Sequence, residues 1–341
     1  MSFLNRRVAS VKESATLAIM AKAGQLKAQG KQIFDLSTGE PEIDTPEHIK
    51  QAAREALAQG KTKYTPVAGI GDLREALAQQ FQSRGVNAAP GTIVVTNGGK
   101  QAIHAALDVM LEPGDEVVIP APYWVSFPAM VQLSGGSPVI AQTNPAHGYK
   151  LQPQDLERVI TPKTRCLIFN SPSNPTGVGY SANEVRALAD VVTGRNIAII
   201  ADEVYGKITF DGFQFKSLAA VAPEMHDRII TIDSFSKTYA MTGWRVGCAT
   251  GPTDIISAMI RHQSQITSNI NSIAQYAALA ALRGPHDFLK ELVQSYNARI
   301  ERAMGIISEI DGLSLACKPQ GAFYLFIRCE QLLRGDPKPA R

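Results

Sequence analysis

The stretch "IITIDSFSKTYAMTGWRVGCAT", Ile229 to Thr250, sets two short apolar runs on either side of a turn that carries Lys237 among small hydroxyl residues and, eight positions on, Arg245. Short runs rich in β-branched residues and bounded by turn formers mark strands buried on both faces, as in a parallel sheet covered by helices. Working outward, the same signature recurs in "TIVVT" (92–96), "EVVIP" (116–120), "SPVIA" (137–141), "RCLIFN" (165–170) and "IAIIAD" (197–202). Between these runs lie helix-period segments such as "IKQAAREALAQ", "GDLREALAQQFQ" and "SANEVRALADVV", the last opened by Ser181 with Glu184 three residues later, a capping box. Alternation of this kind predicts an α/β fold whose large domain is a mostly parallel seven-stranded sheet sandwiched by helices.

A chain of 341 residues with 45% hydrophobic and 19% charged residues has room for about two folded domains. Its net charge of +3, without a block of like charges, argues against nucleic acid as a partner. Cys166, Cys248, Cys317 and Cys329 are scattered and lack CxxC spacing, so no metal site and no disulfide framework is expected, and reducing cytoplasm is the expected compartment. No run of 18 apolar residues predicts a membrane span, and Lys22 interrupts "ATLAIMA", so the N-terminus does not read as a signal peptide. From about Ile273 the pattern becomes helical through Ile310, and "GLSLACKPQGAFYLFIRC" then reads as two strands joined at Pro319 to Gly321, a second, smaller α+β unit.

Ligands of open α/β sheets bind outside the carboxyl ends of the strands. "TIVVT" is followed there by "NGGKQA", two glycines before a helix, where free amides suit an anion such as phosphate. "RCLIFN" leads into "SPSNPTG", presenting Asn174; "IAIIA" ends in "DEVY", presenting Asp202 and Tyr205; Trp124 follows "EVVIP"; Ser236 and Lys237 follow "IITIDSF". Taken singly, each has an ordinary structural explanation. Together they offer an anion cradle, an acid, a phenol, an amide, an aromatic plate and an amine, the set that pyridoxal 5'-phosphate requires. Lys237 is the candidate amine, since a lysine near cations and partly desolvated loses its proton more readily, and Arg245 offers a planar fork for the phosphate.

"SFSKTYAMTGWRVG", "SPSNPTG", "ADEVY", "APYWVSFP", "GKTKYTPVAGIGDLREAL" and "PQGAFY" resemble, in order and over about residues 10 to 328, the motifs of class I aminotransferases, pyridoxal-phosphate enzymes of fold type I, and are most similar to the bacterial aspartate branch, some members of which also use prephenate. The resemblance implies that Lys237 forms the imine with the cofactor and shuttles the proton, Asp202 pairs with the pyridine nitrogen, Tyr205 and Asn174 bond the phenolic oxygen, and Trp124 stacks on the ring. It implies that Gly98, Gly99, Lys100, Ser234, Ser236 and Arg245 surround the phosphate, and that Tyr64 reaches the phosphate of a neighbouring subunit, hence a homodimer with shared sites. Gly39 would meet the substrate carboxylate through its backbone, while Ser14, Thr16 and Lys100, with Trp124 and Asn174, would hold the substrate. Glu13 stands where relatives commonly have a proline.

The implied reaction is transamination between an amino acid and a 2-oxo acid, with aspartate and 2-oxoglutarate the favoured pair; β-lyase or synthase chemistry on the same cofactor, or cofactor binding without turnover, are the alternatives. The implied organisation is an N-terminal segment, 1–45, packing with the small domain, a large cofactor-binding domain, 46–280, and a small domain, 281–341. Relatives continue past "GAFYLF" with an arginine that grips the substrate α-carboxylate, which nothing in "IRCEQLLRGDPKPAR" matches, so the small domain reads as incomplete.

Overall fold

A computed structural model describes residues 3–13, 15–36, 39–210 and 212–333. The seven apolar runs form strands β1 (Ile93–Thr96), β2 (Glu116–Pro120), β3 (Ser137–Ala141), β4 (Thr164–Asn170), β5 (Ala198–Asp202), β6 (Ile229–Ser234) and β7 (Gly247–Thr250). They assemble in the order β1-β7-β6-β5-β4-β2-β3. β3, β2, β4, β5 and β6 pair parallel, whereas β7 runs antiparallel to both β1 and β6. This reversal positions the site, because the beginning of β7 lies at the rim where the other strands end.

Alternate residues along each strand enter opposite cores, as the two-residue period of a strand dictates. Ile168, Ile200, Ile230 and Ile232 pack with Ala102, Ile103, Ala106 and Leu107 of the helix Gly99–Met110 on one face. Leu167, Phe169, Ile199 and Ala201 face Val185, Leu188, Ala189 and Val192 of the helix Ala182–Val192 on the other. Both layers are buried, and each fully buried Ile or Leu contributes about 1.5–3 kcal/mol. The predicted capping box forms: the Glu184 amide donates to Ser181 Oγ at 3.3 Å, and the Ser181 amide donates to Glu184 Oε2 at 2.7 Å.

Beyond the sheet, the helix Ser272–Arg283 leads to the long helix Asp287–Ser308. Leu292 and Tyr296 of that helix pack with Ile208, Phe210, Ile43 and Phe323. The N-terminal segment divides its contacts. Glu42 pairs with Arg299 on the long helix, whereas Arg7 Nη1 donates to Leu133 O of the large sheet unit at 3.3 Å. The two strands expected in 312–329 shrink to Ser314–Leu315 and Ile327–Arg328, paired antiparallel. The stretch between them is held by the large unit instead of by its own hairpin: Gln320 and Gly321 amides donate to Gly177 O at 2.7 and 3.0 Å, and the Ala322 amide donates to Ile208 O at 2.9 Å. Gly177, at φ +70°, is required there, since a Cβ would lie 2.6 Å from Pro319.

Candidate active site

Thr96, Asn170, Asp202 and Ser234 are the last residues of β1, β4, β5 and β6, so their side chains and the loops after them converge on one rim. A cleft of about 500 Å³ opens there. Lys237, Asp202, Tyr205, Asn174, Trp124 and Arg245 line it, as do Ser234, Ser236, Gly99 and Lys100; Gly39 and Thr16 close it from the N-terminal segment. Gly98 lies just behind, as the N-cap of the helix Gly99–Met110. Ser14 lies outside the described residues. Tyr64 does not line the cleft and is 90% exposed.

The anion end is built from backbone. Gly98 has φ 86° and ψ 162°, a conformation open almost only to glycine, and offers no side-chain cap, so the first amides of the following helix point outward without intrahelical acceptors. A Cβ on Gly98 would lie 2.5 Å from Arg245 Nη2. Gly247, paired with Thr96 on one side and Ser234 on the other, brings β7 so close that a Cβ there would lie 2.4 Å from the Gly99 amide nitrogen. Arg245 adopts a left-handed conformation, φ 58°, and donates through Nη1 to Thr242 O at 3.0 Å. No carboxylate pairs with it among the described residues, which leaves its charge available to an anion beside the helix start. The Ser236 amide donates to Ser234 Oγ at 3.2 Å, folding the turn after β6 so that both hydroxyls border this region.

At the opposite end Asp202 is buried, and its Oδ1 has no hydrogen-bond partner. Burial above all, opposed by the Val204 amide and reinforced by Asp233 and Glu203, pushes its carboxyl up to about 7. An orphaned carboxylate oxygen inside a cleft is costly and fits a ligand carrying a protonated nitrogen. Between the two ends stands Lys237, whose Nζ donates to the Gly39 carbonyl. Burial, with Arg245 acting in the same sense against Glu40 and Asp202, lowers its amine to about 8. It is therefore a nucleophile near neutral pH, which a solvated lysine is not.

Tyr205 OH lies 2.6 Å from Tyr324 OH, and Asn174 Nδ2 donates to Tyr324 OH at 3.3 Å. Burial, then the neighbouring Tyr324, holds the Tyr205 phenol well above its usual range, so it remains a proton donor. Asn174 is itself set by Asn170, whose Oδ1 accepts the Asn174 amide at 2.8 Å while its Nδ2 donates to Asp202 O at 3.0 Å. Trp124 is half-buried, braced edge-on against Phe127, and Lys100 Nζ sits 4.7 Å from the Trp124 ring centroid. Burial and then Arg245 lower the Lys100 amine.

Tyr324 closes "PQGAFY", but its role is carried by its distance to Tyr205, which no spacing reveals. Glu40, next to Gly39, accepts through Oε2 from Thr242 Oγ1 of the cleft lining at 2.9 Å, a contact that no spacing reveals. Among the described residues no cluster of His, Cys, Asp and Glu is placed to hold a metal ion, and no helix is long and apolar enough to cross a membrane.

A model of the family described as aminotransferase class I and II matches residues 31–336. The aspartate/prephenate aminotransferase of Cereibacter sphaeroides is 45% identical over 328 residues, covering 96% of this chain and 82% of that protein. The aspartate aminotransferase of Geobacillus stearothermophilus is 44% identical over 324 residues, 95% of this chain and 82% of that one. Among solved structures, the aspartate aminotransferase of Thermus thermophilus with maleate superposes with a TM-score of 0.92 at 42% identity, covering 96% of this chain and 85% of that chain.

Proposed function

Since this chain belongs to the class I and II aminotransferases, we propose that it transfers the amino group of aspartate to 2-oxoglutarate on pyridoxal 5'-phosphate held in the cleft at the strand ends. The observation that carries the reading is the unpartnered, buried Asp202 Oδ1 in the same cleft as Lys237 and the glycine-opened helix start. The donor set fits this cofactor: an anion cradle at Gly98, Gly99, Ser234, Ser236 and Arg245, a carboxylate for the ring nitrogen, phenol and amide donors at Tyr205 and Asn174, and the Trp124 face for the ring.

When bound, the cofactor supplies an aldehyde for amines and a ring that accepts the electrons left at the substrate α-carbon. The protein's residues do the rest. Asp202 would hold a protonated ring nitrogen and so keep the ring electron-poor. Tyr205, held protonated by burial and buttressed by Tyr324, would donate to the phenolic oxygen. Lys237, its amine lowered to about 8 and so neutral in part at physiological pH, would be the amine that holds the aldehyde and, once freed by substrate, the base for the α-proton and the acid that returns it.

Substrate choice follows from the cations. With Arg245 assigned to phosphate and Lys237 to chemistry, Lys100 is the remaining cation among the described residues that line the cleft, Thr16 lines it too, and we assign Lys100 to a second carboxylate. A solved relative carrying maleate, a dicarboxylate, supports that choice. The relatives named for prephenate make that oxo acid a further acceptor to try. We assign exposed Tyr64 to the phosphate of a second copy, making the working unit a homodimer, and we place it in the cytoplasm, in keeping with its free cysteines. The segments 1–45, 46–280 and 281–341 are its proposed N-terminal arm, cofactor domain and small domain. Mixing the cofactor-loaded protein with aspartate tests the proposal: the visible absorption should convert to that of the aminated cofactor, with oxaloacetate released. An unchanged spectrum across all common amino donors would refute it.

A further inference from the structure

Asp202 does not stand alone. Glu203 follows it in the chain, and Asp233 belongs to β6, the neighbouring strand; both are buried, 2% and 6% exposed. Three carboxylates gathered at the ends of two paired strands repel one another, and Asp233 and Glu203 both act, after burial, to raise the carboxyl of Asp202.

One guanidinium answers two of the three. Arg84 Nη1 donates to Asp233 Oδ2 at 2.6 Å, and Arg84 Nη2 pairs with Glu203 Oε2. Arg84 is the C-cap of the helix Gly71–Ser83, and its guanidinium lies 5.5 Å from the ring centroids of both Phe81 and Phe215. The carboxylates are fixed in turn. Glu203 Oε1 accepts from Ser217 Oγ at 2.8 Å and the Leu218 amide at 2.9 Å; Asp233 accepts from the Ser234 amide at 2.7 Å and Gln80 Nε2 at 3.2 Å. A planar cation clamped by two carboxylates and two aromatic rings is a site made for arginine, and lysine cannot reproduce the fork. None of Arg84, Glu203 and Asp233 lines the cleft.

We propose that Arg84 is a positioning residue for the cofactor: by neutralising Glu203 and Asp233 it lets Asp202 remain anionic toward the ring nitrogen. This rests on the assignment of pyridoxal 5'-phosphate to the cleft. The other groups facing Asp202 are Lys237 and the phenols of Tyr205 and Tyr324, and Lys207 adds a positive charge near Asp233. Formally the Arg84–Glu203–Asp233 cluster sums to one net negative charge; without Arg84 it sums to two, and with one of the two carboxylates neutralised to none. Asp202 should follow that count.

Two readouts test it: the ¹³C titration of the Asp202 carboxyl in the cofactor-free chain, identified by its absence in Asp202→Asn, and the dissociation constant for pyridoxal 5'-phosphate. Arg84→Met should move the titration up by about one unit and weaken cofactor binding about tenfold. Glu203→Gln should move the titration down and bind the cofactor at least as tightly as the parent. The double variant Arg84→Met/Glu203→Gln, back at one net negative charge, should return both readouts to near the parent values. A merely structural Arg84 predicts otherwise: all three variants loosen the cofactor while the titration stays still, and that result overturns the proposal. Should Arg84→Met not fold, an upward or absent shift in Glu203→Gln overturns it alone. A parent chain that takes up no cofactor overturns the cofactor assignment, and the titrations then still decide whether Arg84 sets the charge of Asp202.

Discussion

Replacing Gly98 by alanine tests the anion cradle at its tightest point. At φ 86° and ψ 162° the backbone is in a region that side chains disfavour by about 1–3 kcal/mol. The new methyl carbon would also lie 2.5 Å from Arg245 Nη2 and 3.0 Å from its Cζ. The Arg245 guanidinium is the far end of a flexible side chain, so it would swing aside, giving up the Thr242 and Asn97 carbonyls that aim it. Removing a charge-assisted hydrogen bond from the phosphate costs about 1.5–3 kcal/mol, or roughly 10–150-fold in affinity. Equilibrium titration with pyridoxal 5'-phosphate should therefore show Gly98→Ala binding more weakly by that factor, with a thermal midpoint a few degrees lower from strain alone. Because both changes act through one guanidinium, Gly98→Ala/Arg245→Ala should bind the cofactor about as weakly as Arg245→Ala alone. A variant with a lowered midpoint but cofactor affinity within about twofold of the parent would refute the reasoning, since Gly98 would then be a backbone device with no bearing on the anion.

Asp202→Asn should lose cofactor affinity by about a hundredfold or more, as expected when one partner of a buried charge pair is removed. The same change should stabilise the cofactor-free chain. Asp202 has its carboxyl raised to about 7 by burial, so between pH 4 and 7 the unfolded chain binds fewer protons and stability falls as pH rises. The variant should thus unfold later than the parent at pH 8, by on the order of 2–4 kcal/mol, and together with it at pH 4; coincident melting at both pH values would contradict this. Lys237, lowered to about 8 chiefly by burial, should capture cofactor at a rate that climbs through pH 7 and levels off above 8, not near 10.5. Tyr324→Phe removes the 2.6 Å partner of Tyr205 OH and should slow the half-reaction about tenfold, read by stopped-flow absorbance, while lowering stability by about 1–3 kcal/mol. Lys100→Met should raise KM for aspartate about tenfold while sparing neutral amino donors, measured by comparing the two substrate classes.

Much of the fold was legible because its strands are short, apolar and separate. "RCLIFN", "IAIIAD" and "IITIDSF" became adjacent strands, and the rule that ligands sit at their carboxyl ends drew Asn174, Asp202, Ser236 and Lys237 to one cleft. The direction of "RVGCAT" was not legible: β7 pairs antiparallel, and only that reversal explains how Arg245, at the start of a strand, reaches the rim where others end. The C-terminal strands were overread because apolar "AFYLF" packs onto Ile208, Tyr205 and Gly177 instead of pairing with its own hairpin. Arg84 was invisible for a different reason. A lone arginine in "QSRGV" looks like a surface helix end, and its carboxylates, Glu203 and Asp233, arrive from strands more than a hundred residues away. Neither Tyr324 nor Arg84 can be found without the distances that bring them to Tyr205 and Asp233.

The central claim is a covalent one, that the amine of Lys237 takes the aldehyde of pyridoxal 5'-phosphate. Borohydride reduction of the cofactor-loaded protein, followed by peptide mapping, should find a single reduced adduct, on the peptide spanning Ser234 to Arg245 and at Lys237 within it. An adduct at Lys100 or Lys207, or none at all, would contradict the account.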